Sequence, residues 1–308
     1  MSDDDGDEAE RSDYGVVPDP DWFGSIVRTR HPVDGSPVFT VAARPDAPAG
    51  AVVVLLHGVG NDGSIFGPIM SSLASLGTVV APTLSPALLT DVGDDRNLMS
   101  AKLVAWLTEV VPPPWRIVGH SMGGVMVGLI LRTRPDLIER AVLLNAPLPG
   151  VVQRLRSRDT IDRTGRALLF MKALAAITRF GRPRLPRFLR GAEAAAVRVA
   201  LRGFVHDPGG LDGRVLTRAI LGSRTADGNR FLELAEELPA WESEPFDLVP
   251  ITVVLGDADP LIPTDDVAAV VEMYPGADID VIANCGHFAH LEWSTHSIDT
   301  ISASFGEP

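Results

Sequence analysis

Trp115-Arg-Ile-Val-Gly-His-Ser-Met-Gly-Gly124 sets an apolar, β-branched run directly before Gly-x-Ser-x-Gly, and Val125 to Thr133 continues at helical length. A serine on a strand-to-helix turn of this kind is forced into a strained backbone geometry that lifts its Oγ above the sheet. Gly119 and Gly123 remove the Cβ atoms that would collide there, and the helix that follows aims its first N–H groups at a reacting oxygen. Serine is a weak nucleophile without a base, so the chemistry of this turn depends on what else the chain brings to it.

Two later segments meet that need. Gly256-Asp-Ala-Asp-Pro-Leu-Ile-Pro263 follows the apolar run Ile251–Leu255, and Asn284-Cys-Gly-His-Phe288 follows Ile279–Ile282. The ends of adjacent parallel strands lie on one edge of a sheet, so Ser121, Asp259 and His287 can meet although they are far apart in sequence. The chain order Ser, Asp, His is the one expected of this turn. Asp257 is a rival for the acid, two residues closer to the strand, with a loop-fixing role as its alternative. His120, His290 and His296 read as packing or surface residues. Cys285 lacks the nucleophile turn and reads as a small buried residue.

Further short apolar runs lie at Ala51–Leu56, Thr78–Ala81 and Arg140–Leu144, preceded by a hairpin signal of Ile26–Thr29, the Asp34-Gly35 turn and Val38–Val41. Helix-length segments at 98–111, 125–133, 264–273 and 289–305 fall between or after them. Strands apolar on both faces, alternating with helices, predict a mostly parallel, doubly wound α/β sheet. The alternation stops after Pro147 for roughly a hundred residues, which read as helices broken by Gly and Pro. The predicted division is an acidic disordered leader over 1–21, a core over 22–148 and 247–308, and a helical insert over 149–246.

The 308 residues are 45% hydrophobic and 22% charged, the balance of a folded chain. The single cysteine precludes an intramolecular disulfide and points to a reducing, cytoplasmic setting. The first residues are acidic where an export signal is basic and then apolar, and the run at 51–56 is far short of the roughly 18 apolar residues of a membrane span. A net charge of −13 disfavours nucleic acid as a partner. The charge is uneven: Val151 to Arg230 holds 17 Lys+Arg against 6 Asp+Glu, and the rest of the chain 10 against 34. Arg179, Arg182, Arg184, Arg187 and Arg190 could form a positive rim for an anionic acyl carrier, or pair with the chain's own acidic core.

With these residues in view, the chain resembles the α/β-hydrolase superfamily from about Ile26 to Phe305. The features that match are His57-Gly58 after the third strand, Gly119-His-Ser-Met-Gly123 after the fifth, the Gly-Asp-Ala-Asp segment ending at Pro263, and Gly286-His-Phe-Ala-His-Leu-Glu292. The resemblance implies an α/β-hydrolase fold with a helical cap inserted after the sixth strand. It implies Ser121 as nucleophile, His287 as general base and then acid, and Asp259 as the group that orients the imidazole. Oxyanion donors are expected at the Met122 amide, directly after the nucleophile, and at the Val59 amide, with Gly60 as the alternative register. Asn61 could add a side-chain donor or serve the turn.

Candidate pocket-lining residues of the cap are Phe170, Met171, Leu174, Ile177, Phe180, Phe188, Leu189, Phe204 and Trp241. The expected reaction is cleavage of a small-molecule carboxylic ester, with a coenzyme A or carrier-protein thioester as the alternative. A lyase or cyclase using the same residues without an acyl-enzyme is the competing class. No cofactor and no metal are expected, since neither a phosphate-cradling loop nor ligand spacing is present. Epoxide hydrolase and haloalkane dehalogenase readings fail at the nucleophile, where those enzymes normally carry Asp.

Overall fold

The apolar runs pair side by side into one eight-stranded sheet in the order β1-β2-β4-β3-β5-β6-β7-β8. The strands are β1 (Val27–Arg30), β2 (Pro37–Val41), β3 (Val52–Leu56), β4 (Thr78–Pro82), β5 (Trp115–His120), β6 (Ile138–Leu144), β7 (Ile251–Gly256) and β8 (Asp278–Ile282). The hairpin β1–β2 and the β2–β4 pair are antiparallel, and every pair from β4 through β8 is parallel. The computed structural model describes residues 25–58, 61–85, 88, 95–146, 203–207, 211, 246–262 and 267–306. The expected acidic leader and nearly all of the expected cap, with its arginines and all its candidate lining residues except Phe204, lie outside the described residues.

The parallel strands are apolar on both faces because helices cover both. Val54, Leu56, Ile117, Leu143, Val253 and Leu255 point to one side, where they meet α2 (Arg96–Val110), α3 (Met122–Thr133) and α4 (Val267–Met273). Their neighbours Val53, Leu55, Val118, Val142, Leu144 and Val254 point to the other, against α1 (Gly67–Leu73) and α6 (Ser294–Gly306). Each such side chain contributes roughly 1.5–3 kcal/mol when fully buried. That two-sided burial is what the unbroken Val/Ile/Leu runs encode.

Local signals set the helix ends. The Asp95 carboxylate accepts the Leu98 N–H at 3.0 Å and caps α2. At the end of α3, Arg134 leaves helical geometry (φ −141°, ψ 56°) immediately before Pro135, which disfavours a helical residue ahead of it. The single helix expected over 289–305 is instead two, α5 (Ala289–Glu292) and α6, broken at Trp293 (φ −129°, ψ 53°). The Trp293 indole donates to Asn284 O at 3.2 Å, so the break ties the helix pair back to the loop after β8.

All parallel strands end on one edge. The register aligns Leu56 with Gly119, His120 with Leu144, and Gly256 with Ile282. The residues that follow these strands are therefore neighbours in space.

Candidate active site

Ser121 sits between β5 and α3 at φ 53°, ψ −122°, a left-handed geometry that costs a non-glycine residue about 1–3 kcal/mol. The surrounding backbone holds it there. Its N–H donates to Leu144 O at 3.0 Å, and its carbonyl accepts the Gly124 N–H at 2.9 Å. The flanking glycines are required by contact rather than by φ. A Cβ on Gly119 would lie 2.5 Å from Gly124 Cα, and one on Gly123 would lie 2.1 Å from Leu56 O. Helix α3 thus presses its first turn directly onto the ends of β3 and β5.

The half-buried Ser121 Oγ lies 3.0 Å from His287 Nε2, and His287 Nδ1 lies 2.8 Å from Asp259 Oδ2. A carboxylate can only accept, so Nδ1 carries the proton and Nε2 is left to accept from the serine hydroxyl. The backbone of His287 is fixed at both ends of its residue: its N–H donates to Phe204 O at 2.7 Å and its carbonyl accepts His120 Nε2–H at 2.8 Å. Asp259, 6% exposed, receives four donors. Oδ1 accepts the amides of Leu261 (2.8 Å) and Ile262 (3.3 Å), and Oδ2 accepts Asn145 Nδ2 (2.9 Å) besides the imidazole. The rival Asp257 is exposed and accepts the Cys285 N–H at 3.4 Å, away from this chain of contacts.

Met122 opens α3, so its amide is one of the first-turn N–H groups with no partner inside the helix. Val59 and Gly60, expected to carry the second oxyanion donor, lie outside the described residues. Gly58, just before them, touches the serine: a Cβ there would be 2.8 Å from Ser121 Cβ. Buried Asn61 donates its amide to Gly58 O at 3.4 Å, and the Asp62 side chain caps the 3-10 turn Gly63–Phe66 by accepting Ser64 N–H at 2.9 Å.

Three more histidines are buried nearby. His57 donates from Nδ1 to Gly58 O (2.8 Å) and accepts Leu84 N–H at Nε2 (2.9 Å), and burial lowers its pKa. His120 is held well below the usual imidazole range by burial and by the neighbouring rings of His290 and His287. His290 is pushed down to about 3, by burial first and by His287 second, and neither of its ring nitrogens has a protein partner among the described residues. The expected packing role for His120 and His290 matches this burial, and exposed His296 pairs with Asp280 at 2.8 Å. Burial also pushes the Cys285 thiol far above its ordinary range, which removes it as a nucleophile.

The three depressed imidazoles set an acid limit on the fold. Each is neutral when folded and takes up a proton near 6.5 when unfolded, so its contribution is complete above that pH. It is lost as pH falls toward the folded value, at up to about 1.4 kcal/mol per pH unit for each group. The melting temperature should therefore drop between pH 6.5 and 4. His290→Leu should flatten that decline, since burying an apolar side chain in place of an unpartnered ring removes one proton uptake. Thermal melts across this range check it, and an equally steep decline in the variant would discount His290.

Asn145 is the polar residue at this edge that the sequence did not reveal. It follows β6 at φ 44°, is fully buried, and its Nδ2 bridges Asp259 Oδ2 and Gly286 O (3.2 Å). The available signal was a polar side chain directly after a wholly apolar strand end. Asn145→Asp would set a second carboxylate against Asp259 in place of the amide that donates to it, and like charges sharing a buried site disfavour ionising both. Turnover should fall by about 10²-fold near pH 7 and recover as pH rises and the pair ionises. A pH–rate profile parallel to that of the wild type would show that Asn145 does not act on Asp259.

Burial raises the pKa of Glu292, against the lowering effect of three backbone N–H donors. Among the described residues no group of three His, Cys, Asp or Glu could hold a metal ion, and no helix is long and apolar enough to cross a membrane.

Comparison with known proteins agrees with this architecture. A pyrrolizixenacetamide deacetylase from Xenorhabdus hominickii is 28% identical over 252 residues, covering 79% of this chain and 86% of that protein. An esterase from Exiguobacterium antarcticum superposes with a TM-score of 0.64 at 16% identity, covering 92% of this chain and 99% of that one. The epoxide hydrolase CorEH gives 0.63 at 19% identity over 91% and 99%. At these identities the solved structures speak for the fold, which esterases and epoxide hydrolases share. The model of the alpha/beta hydrolase family matches residues 53–296, from β3 through the start of α6, and the chain belongs to that family.

Proposed function

We propose that the protein hydrolyses a carboxylic ester through an acyl-enzyme on Ser121. The observation that carries this reading is the continuous contact from Ser121 Oγ through His287 to Asp259, at 3.0 and 2.8 Å. His287 takes the hydroxyl proton as Ser121 Oγ adds to the substrate carbonyl, and Asp259 stabilises the imidazolium that forms. The oxyanion is met by the Met122 amide and by the Val59 amide. Collapse of the adduct expels the alcohol, which takes its proton from His287. Water then repeats the sequence on the acyl-enzyme, releasing the acid and restoring Ser121.

Thioesters and amides differ from esters only in the group that leaves, so they are alternatives within the same chemistry. The deacetylase relative supports an acyl group as small as acetyl, and the arginines of the insert support a carrier-linked thioester. Stopped-flow assays with p-nitrophenyl acetate, longer p-nitrophenyl esters, acyl-coenzyme A and an N-acetylated amine test the reading. A burst of leaving group equal to the enzyme concentration is expected with the esters. Turnover of none of these by folded protein would favour a lyase or cyclase, which forms no acyl-enzyme.

A further inference from the structure

Glu292 joins two pieces of chain that the sequence separates by about eighty residues. Its Oε2 accepts both the His206 N–H at 2.7 Å and the Gly286 N–H at 3.1 Å, and its Oε1 accepts the Phe288 N–H at 3.3 Å. Gly286 and Phe288 flank His287, while His206 belongs to the segment 203–207 inside the predicted insert. The same two pieces meet again through the 2.7 Å bond from His287 N–H to Phe204 O. Their backbones touch: a Cβ on Gly286 would lie 2.4 Å from Phe204 O, 2.8 Å from Glu292 Oε1 and 2.9 Å from His206 N. Phe204 and Val205 are both buried, so the segment is anchored on its apolar side as well.

We propose that Glu292 is a positioning residue that locks the insert segment Phe204–His206 to the loop carrying His287, so that the placement of the imidazole against Ser121 depends on the seating of the insert. This rests on the serine reading above and extends it. A single carboxylate oxygen shared by His206 and Gly286 means that neither segment can shift without breaking a bond of the other. Among the described residues, the acceptor that holds the His287 N–H itself is Phe204 O, on the insert segment. A substrate that presses on this segment therefore acts on the catalytic base, although the hydrogen bonds of Glu292 among the described residues run to His206, Gly286 and Phe288 and not to Ser121 or Asp259.

The test combines amide hydrogen exchange over 203–207 and 286–288 with the rate at which a fluorophosphonate labels Ser121. Glu292→Leu removes both acceptor oxygens, and with them all three hydrogen bonds, and should speed exchange in both segments together. It should slow labelling by about tenfold or more while the melting temperature stays above the assay temperature. Glu292→Gln keeps one carbonyl oxygen for the His206 and Gly286 donors and should restore labelling to within about threefold of wild type. Gly286→Ala, which wedges the segments apart from the other side, should reproduce the joint exchange even if Glu292→Leu proves too unstable to study.

Faster exchange confined to 286–288 would overturn the coupling, and labelling at the wild-type rate with both segments loosened would overturn the positioning role. An unlabelled wild type would overturn the serine reading alone, because the exchange measurement decides the coupling without it.

Discussion

A Ser121→Ala variant is expected to lose the ester burst completely and to turn over at least about 10⁴-fold more slowly, with KM changed only a few-fold. The reasoning is geometric. Only Oγ is removed, and the strained turn survives because it is held by bonds to Leu144 O and from Gly124 N–H that do not involve the side chain. His287 Nε2 loses a partner worth about 1 kcal/mol, so the melting temperature should move by only a few degrees. Asp259→Asn should be comparably damaging for a different reason. An amide nitrogen facing His287 Nδ1 favours the tautomer with its proton on Nε2, pointed at the serine instead of accepting from it. The two losses should not add: a Ser121→Ala, Asp259→Asn double variant should be no slower than Ser121→Ala, since in the proposed reaction the groups act in one proton transfer. Additive losses in single-turnover assays would mean that Asp259 serves some step other than activation of Ser121.

The strand-turn-helix unit was legible because its causes are local. An apolar run buried on both faces, a serine needing φ 53° and glycines pressed by neighbouring backbone leave their mark in ten consecutive residues. Asp259 and His287 were legible because parallel strands end on a common edge, which turns sequence order into spatial proximity. Asn145 and Glu292 were not, although Glu292 closes a recognisable segment. Asn145 bonds Asp259 114 positions away, and Glu292, besides its local bonds to Gly286 and Phe288, bonds His206 86 positions away; nothing in their own neighbourhood specifies those distant partners. Helix α1 also escaped notice, since Gly-Pro-Ile-Met-Ser-Ser-Leu is too short to show a helical period and begins with two poor helix formers. The break at Trp293 depends on an indole bond to Asn284 O, again a contact rather than a pattern.

The second large effect expected concerns the fold rather than the chemistry. Gly123→Ala exchanges a poor helix former for the best one, which in an exposed helix would stabilise by about 1 kcal/mol. Here the added Cβ would lie 2.1 Å from Leu56 O, 2.6 Å from Leu56 C and 2.9 Å from His57 O. All three are backbone atoms at the end of β3, so no side chain can rotate away, and α3 must lift off the sheet. Its residues from Met122 to Leu131 are all buried, and lifting one end opens gaps along that whole contact. The packing loss should exceed the propensity gain and leave a net destabilisation of about 3 kcal/mol or more, visible as a drop of several degrees in Tm. Activity should fall with it, because the same contact sets Ser121 against the His57-Gly58 turn. Gly276→Ala is the matched control, since a Cβ there meets nothing within 4 Å and should change stability by less than about 0.5 kcal/mol. If Gly123→Ala melted like that control, α3 would have to slide along β3 at little cost, and close backbone approach could not be what holds Ser121 in its strained geometry.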